Sequence, residues 1–137
     1  MPGLRICIDV PDLERAIAFY VAALGLVPGR RLGAEWVELL GAPVPIDLLP
    51  RAAGTAPSPR GGGARTWERH WTPVHLDLVV DDLDRALARA LEAGASLERP
   101  VSEAAWGRMA NLADPFGHGL CLLEFRGRGY DELLAGP

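Results

Sequence analysis

His75 and Asp77 are the residues of this chain whose types and spacing point most directly to chemistry. They stand two apart in the alternating run Val74 to Val80, and alternate residues of a strand share a face. An imidazole and a carboxylate on one face can reach a single ion, as in a two-histidine, one-carboxylate site, with His70 or His118 as the second histidine. Arg5 lies 70 residues before His75 in a similar alternating run. Trp36, Trp67, Trp71 and Trp106 offer aromatic walls for a flat ligand. Trp67 and Trp71, four apart, share a side of a helical turn, where they read either as an anchor that packs the chain down or as a wall over a pocket.

Other chemistries are excluded by composition. All 14 basic residues are arginine, which removes lysine Schiff-base chemistry. The serines, Ser58, Ser96 and Ser102, do not sit in a nucleophile elbow. No glycine-rich phosphate loop joins a strand to a helix, and Gly61 to Gly63 fall in a polar connection. A net charge of −4 without a basic block argues against nucleic acid. No apolar run reaches the ~18 residues of a membrane span. The chain enters a strand pattern at Leu4 without the layout of a signal peptide, so a cytoplasmic protein is expected. Cys7 and Cys121, both in strand-like runs, read as small buried thiols of a reducing compartment.

The elements that must position these residues come in two copies. After the strand pattern of Val74 to Val80, helical spacing takes over at Leu83, Ala86, Leu87, Ala90 and Leu91. Asp81 or Asp82 can cap this helix and Gly94 can end it. Val10 to Ala18 lies over Val80 to Ala88 at a constant offset of 70 residues, and Gly25 ends the first helix as Gly94 ends the second. The first helix, Asp12 to Ala23, is expected to bury Leu13, Ile17, Tyr20 and Leu24. Short strands follow each helix: Arg30 to Leu32, Glu35 to Leu40 and Val44 to Leu49 in the first copy, and Ala95 to Arg99, Trp106 to Ala113 and Leu120 to Phe125 in the second. Asp114-Pro115-Phe116-Gly117 predicts a type I turn and a hairpin, and Tyr130 to Leu134 a short helix. Residues 50 to 66, rich in Pro, Gly, Ala and Arg, read as a mobile connection.

Two βαβββ halves resemble the vicinal oxygen chelate superfamily, which groups glyoxalase I, bleomycin-resistance proteins and extradiol dioxygenases. The resemblance is carried by the paired strand-to-helix units, by Phe19-Tyr20 with Leu24-Gly25-Leu26, and by Trp106-Gly107, Ala113 to His118 and Leu120 to Phe125. It implies an α+β fold, two βαβββ modules in one domain forming a cleft. Module one spans about 1–50, a linker about 51–73, module two about 74–126 and a tail 127–137.

In that superfamily the metal ligands come from the first and last strands of each half. Carried over to this chain, those positions fall on His75, on Glu124 and, most nearly, on Asp47, while the fourth falls on Arg5. Arginine cannot donate a lone pair to a metal. Three readings stay open. His75, Glu124 and Asp47 hold Fe, Mn, Ni or Zn; or Arg5 sits in place of a metal, neutralises Asp47 and Glu124 and presents its fork to an anionic ligand; or these are satisfied polar groups lining a cavity. The first implies a metal-assisted lyase, isomerase or oxygenase on a small oxygenated metabolite, with Glu124 as the catalytic carboxylate. The second implies a non-catalytic, antibiotic-type binding protein without a metal, with Arg5, Trp36, Trp67, Trp71 and Trp106 as ligand-binding residues. A homodimer is expected on the same resemblance.

Overall fold

Asp12 and Asp82, matched by the repeat, start the two helices. Asp12 Oδ1 accepts from the Arg15 N–H at 2.9 Å and Asp82 Oδ1 from the Arg85 N–H at 3.0 Å, each satisfying one of the donors a helix start leaves unpaired. At the far end of the first helix Gly25 takes a left-handed conformation, φ 69°, and returns its N–H to the Val21 carbonyl. The computed structural model describes residues 1–70 and 72–134 and divides into two units, Met1–Glu68 and Arg69–Pro137.

The first unit runs β1 (Ile6–Val10), α1 (Leu13–Leu24), β2 (Val27–Leu32), β3 (Trp36–Leu40) and β4 (Ile46–Pro50). Its sheet is ordered β1-β4-β3-β2, with β1 parallel to β4 and the other pairs antiparallel. Helix α1 packs on β3 and β4 over a core of Val10, Phe19, Tyr20, Val37, Leu39, Ile46 and Leu48. Its buried stripe is Leu13, Ala16, Phe19, Tyr20 and Ala23, which recur at helical spacing along one face, and Ile17 and Leu24 lie half-buried at its margin. The connection after β4 is tied down. Gly54 and Thr55 exchange backbone hydrogen bonds with Arg65, and Arg65 Nε pairs with Asp9 of β1 at 3.0 Å.

The second unit runs β5 (Leu76–Val79), α2 (Leu83–Glu92), β6 (Ser96–Leu97), β7 (Ser102–Ala104), β8 (Gly107–Ala113) and β9 (Gly119–Phe125). Strand β5 is parallel to β9, and β8 pairs antiparallel with β9, β6 and β7. The second strand of the first module, β2, thus becomes two short pieces here, with Pro100, which has no N–H to give, between them. The fold class is α+β with the expected strand-helix-strands order in each module. The turn at Asp114 forms as predicted, with the Asp114 side chain accepting from the N–H groups of Phe116 and His118 at 2.8 and 2.9 Å. The terminal helix is a single 3-10 element, Gly129–Leu133. Among the described residues, no helix is long and apolar enough to cross a membrane.

Candidate functional site

In the first unit, four strand residues from β3, β4 and the run into β1 meet on one sheet face. Asp47 pairs in register with Cys7 on one side and Glu38 on the other. Arg5, two residues before Cys7, reaches over them. Its Nε and Nη2 donate to the two oxygens of Asp47 at 2.8 and 2.6 Å, and Nη2 also donates to Glu38 at 2.7 Å. Arg30 of β2 donates to Glu38 from Nε and Nη2 at 3.0 and 2.7 Å. Both carboxylates are buried, Glu38 to 4% exposure and Asp47 to 5%. Buried acids of this kind stay ionised only because the guanidinium groups pair them. Hydrogen bonds from Arg30, then Arg5, hold the Glu38 carboxyl down to about 2. Arg5 likewise holds Asp47 below its ordinary value, against the opposing effect of burial and with help from the Trp36 indole.

Trp36 extends the same face. It lines a pocket of about 370 Å³ with Leu32, Glu35, Leu49, Pro50 and Arg51, and the Arg30 guanidinium lies 5.9 Å from its ring. The cluster and the aromatic wall therefore adjoin through the bond from Trp36 to Asp47.

In the second unit, His75 Nε2 lies 3.1 Å from Asp77 Oδ1, and Cys121 completes a group whose donor atoms all lie within 4.8 Å of one another. Asp77 and Cys121 are register partners across β5 and β9, and Asn111 of β8 is the register partner of Cys121 on the other side. Asn111 Nδ2 donates to the Cys121 sulfur at 3.1 Å. Burial, followed by the nearby Asp77 carboxylate, pushes the Cys121 thiol up. His75, Asn111 and Cys121 line a pocket of about 170 Å³ together with Arg69, Glu98 and Arg99. Arg69 is spent on Glu98, with Nη2 to Oε2 at 3.2 Å.

The third donor beside His75 and Asp77 is thus a thiol and not a second histidine. Sheet register identifies it. Asp47 faces Cys7, Cys121 faces Asp77, and Cys7 and Asp77 are 70 residues apart, so Cys121 is the counterpart of Asp47. Glu124 is three residues further on and belongs to the opposite face. Its Oε2 accepts from the Leu83 N–H at 2.7 Å and its Oε1 faces Arg126 Nε at 3.3 Å, so it closes the start of α2. The two cysteines also differ. Cys121 is buried as expected, whereas Cys7, near the start of β1, is exposed.

The remaining tryptophans have separate places. Trp106 packs against Tyr130 and Phe125, with ring centroids 5.2 and 6.0 Å apart. Trp67 is half-buried near the end of the first unit. Trp71 lies outside the described residues. Glu38, Arg30 and Asn111 carry much of both clusters and were not singled out from sequence. Glu38 is flanked by Val37 and Leu39 in a strand, the one signal that a partnered acid was there.

Residues 5–123 match the family of the glyoxalase-like domain. The chain belongs to that family. It is part of the vicinal oxygen chelate superfamily, as the pair of modules anticipates. An uncharacterized protein of Mycobacterium tuberculosis strain H37Rv is 36% identical over 129 residues, covering 85% of this chain and 71% of its own length. The anthracycline biosynthesis protein DnrV of Streptomyces peucetius is 32% identical over 145 residues, covering 87% of this chain and 52% of DnrV. The fosfomycin resistance protein FosX of Listeria monocytogenes shares the fold with a TM-score of 0.71 at 19% identity, over 98% of this chain and 97% of FosX.

The superfamily's metal positions in the first module of this glyoxalase-like chain do not fit a divalent ion. One is an arginine, and both oxygens of the other, Asp47, accept from that arginine. A cation already occupies the place between the carboxylates.

Proposed function

We propose that this glyoxalase-like protein binds a flat, oxygenated small molecule without turning it over, and that Arg5 replaces the metal of its first module. The observation that carries this reading is the Arg5 fork on Asp47 with Glu38 behind it. A metal-assisted reaction on His75, Glu124 and Asp47 needs Asp47 and Glu124 as free donors, and they accept from Arg5 and from the Leu83 N–H instead. Trp36 supplies a stacking wall beside the cluster, in a pocket of about 370 Å³, within the range of small-molecule sites. Arg51 at its rim suits ligand oxygens. The likeness to DnrV, a protein of anthracycline biosynthesis, supports a polycyclic aromatic ligand class.

Isothermal titration calorimetry with 1,2-dihydroxyanthraquinone, a flat vicinal diol, tests the reading. Saturable binding is expected, with the quinone recovered unchanged, and Trp36→Leu should weaken it about tenfold, equivalent to ~1.4 kcal/mol. Binding indifferent to Trp36→Leu, or chemical conversion of the quinone, would overturn it.

A further inference from the structure

Two arginines of the first unit grip a carboxylate with the same edge of the guanidinium. Arg5 donates to Asp47 from Nε and Nη2 at 2.8 and 2.6 Å, and Arg30 donates to Glu38 from the same pair of nitrogens at 3.0 and 2.7 Å. In this side-on arrangement two parallel N–H groups meet the two oxygens of one acid. Arg51 departs from the pattern. Its Nη1 donates to the Pro50 carbonyl at 2.9 Å, and its Nε and Nη2 have no partner among the described residues. The edge that its neighbours spend on Asp47 and Glu38 is open on Arg51.

We propose that the flat ligand of the Trp36 pocket carries a carboxylate on its ring, and that the open Nε–Nη2 edge of Arg51 selects for it. The proposal rests on the ligand-binding reading above and adds the charge of the ligand and the residue that recognises it. Three observations support it. Arg51 lines the same pocket as Trp36, so the cation and the aromatic wall serve one space. Arg51 is also half-buried, whereas Arg60, Arg85 and Arg99, which likewise have no acid partner among the described residues, are exposed. A guanidinium partly withdrawn from water gains more from an incoming anion than one in full solvent. The residue is held in place as well. Its N–H donates to the Val10 carbonyl at 2.8 Å just beyond β4, and its Nη1 is tied to Pro50, so little freedom is left to lose on binding.

The acids of this unit's site do not answer that charge. Glu38 and Asp47 are held by Arg30 and Arg5, and Asp9 by Arg65. Glu35 is the acid of the pocket lining; it is exposed and forms no ion pair with Arg51. It opposes an anion only through solvent, which makes its effect small. Around the cation the lining is apolar, with Leu32, Ala34, Leu49 and Pro50. A carboxylate conjugated with an aromatic ring stays near the plane of that ring. A single flat acid therefore presents its face to an indole and its two oxygens to a guanidinium edge. A neutral ring of the same shape keeps the first interaction and lacks the second.

Calorimetric titration with anthraquinone-2-carboxylate and with its primary carboxamide, at neutral pH, tests the assignment, since the two share a shape and differ in charge. The wild type should bind the carboxylate about tenfold more tightly than the carboxamide. In Arg51→Gln the ratio should fall to near one, and Arg51→Lys should restore it only in part, because an ammonium lacks the fork. Arg60→Gln, at an exposed arginine of the same connection, should keep the wild-type ratio. Glu35→Gln should tighten carboxylate binding about twofold. Added salt should weaken the carboxylate and spare the carboxamide. Equal affinities in the wild type, a preference that survives Arg51→Gln, or no binding of the carboxylate would overturn the proposal, and the first and third of these need no variant to fold. Should 1,2-dihydroxyanthraquinone bind through Trp36 while the carboxylate shows no advantage, the charge assignment alone falls and the ligand-binding reading stands. A preference that depends on Arg51 but not on Trp36 would keep Arg51 as the selecting residue and overturn the stacking wall.

Discussion

Arg5 grips both oxygens of Asp47, at 2.8 Å through Nε and 2.6 Å through Nη2, and extends the second nitrogen to Glu38 at 2.7 Å. One guanidinium therefore bridges two buried acids from neighbouring strands, and Arg30 on Glu38 supplies the second positive charge. Only a planar fork does this, since an ammonium presents a single point of charge.

Arg5→Met should leave Asp47 without a cationic partner and Glu38 with Arg30 alone. The thermal midpoint is expected to fall by several degrees. Arg5→Lys should recover only part of the loss. Glu38→Gln should cost less in the Arg5→Met background than in the wild type, because the repulsion it relieves exists only there. Additive effects in a double-mutant cycle would contradict the network.

Acid stability should carry the signature of Glu38. Its carboxyl titrates near 2 in the folded protein against an ordinary value of 4.5. A depressed folded value means the stabilisation is complete above about 4.5 and is lost as pH falls toward about 2. Urea melts across that window should show stability dropping with acidification in the wild type and a visibly shallower drop in Glu38→Gln. Equal slopes would show that Glu38 is not held by Arg30 and Arg5.

Two glycines of the second unit should differ sharply in their response to a Cβ. Gly107 has φ 148° and a Cβ there would stand 2.0 Å from the Glu124 carbonyl oxygen, so Gly107→Ala should cost about 1–3 kcal/mol or more. At Gly119 the Cβ would meet Arg69 Nη2 at 2.7 Å, the movable end of a long side chain. Gly119→Ala should change stability by about 0.5 kcal/mol at most while displacing the guanidinium from Glu98. Urea unfolding of both variants checks the contrast.

Glu124 should behave as a helix-start residue. Glu124→Ala removes the acceptor of the Leu83 N–H and is expected to cost about 1 kcal/mol, much like loss of the Asp82 cap in Asp82→Ala. Urea unfolding checks it, and unchanged stability in Glu124→Ala would show that this carboxylate does not close the start of α2.

The sequence by itself determined the two strand-to-helix units, because capping aspartates, apolar spacing and terminal glycines act within a few residues of one another. Asp12 and Asp82 cap where the repeat places them. The repeat also determined the family, and marked Arg5 as the residue that breaks the metal set. Which residues actually meet was decided by the ladders. Glu124 and Cys121 differ by three positions on one strand, so a count along the chain that errs by one residue exchanges the two faces of the sheet. Only the pairing of Asp77 with Cys121, and of Glu38 with Asp47, settles it. Partners such as Arg30 and Asn111 come from strands that are distant in sequence, and hydrogen bonding between strands leaves no periodic trace in the residues that it joins.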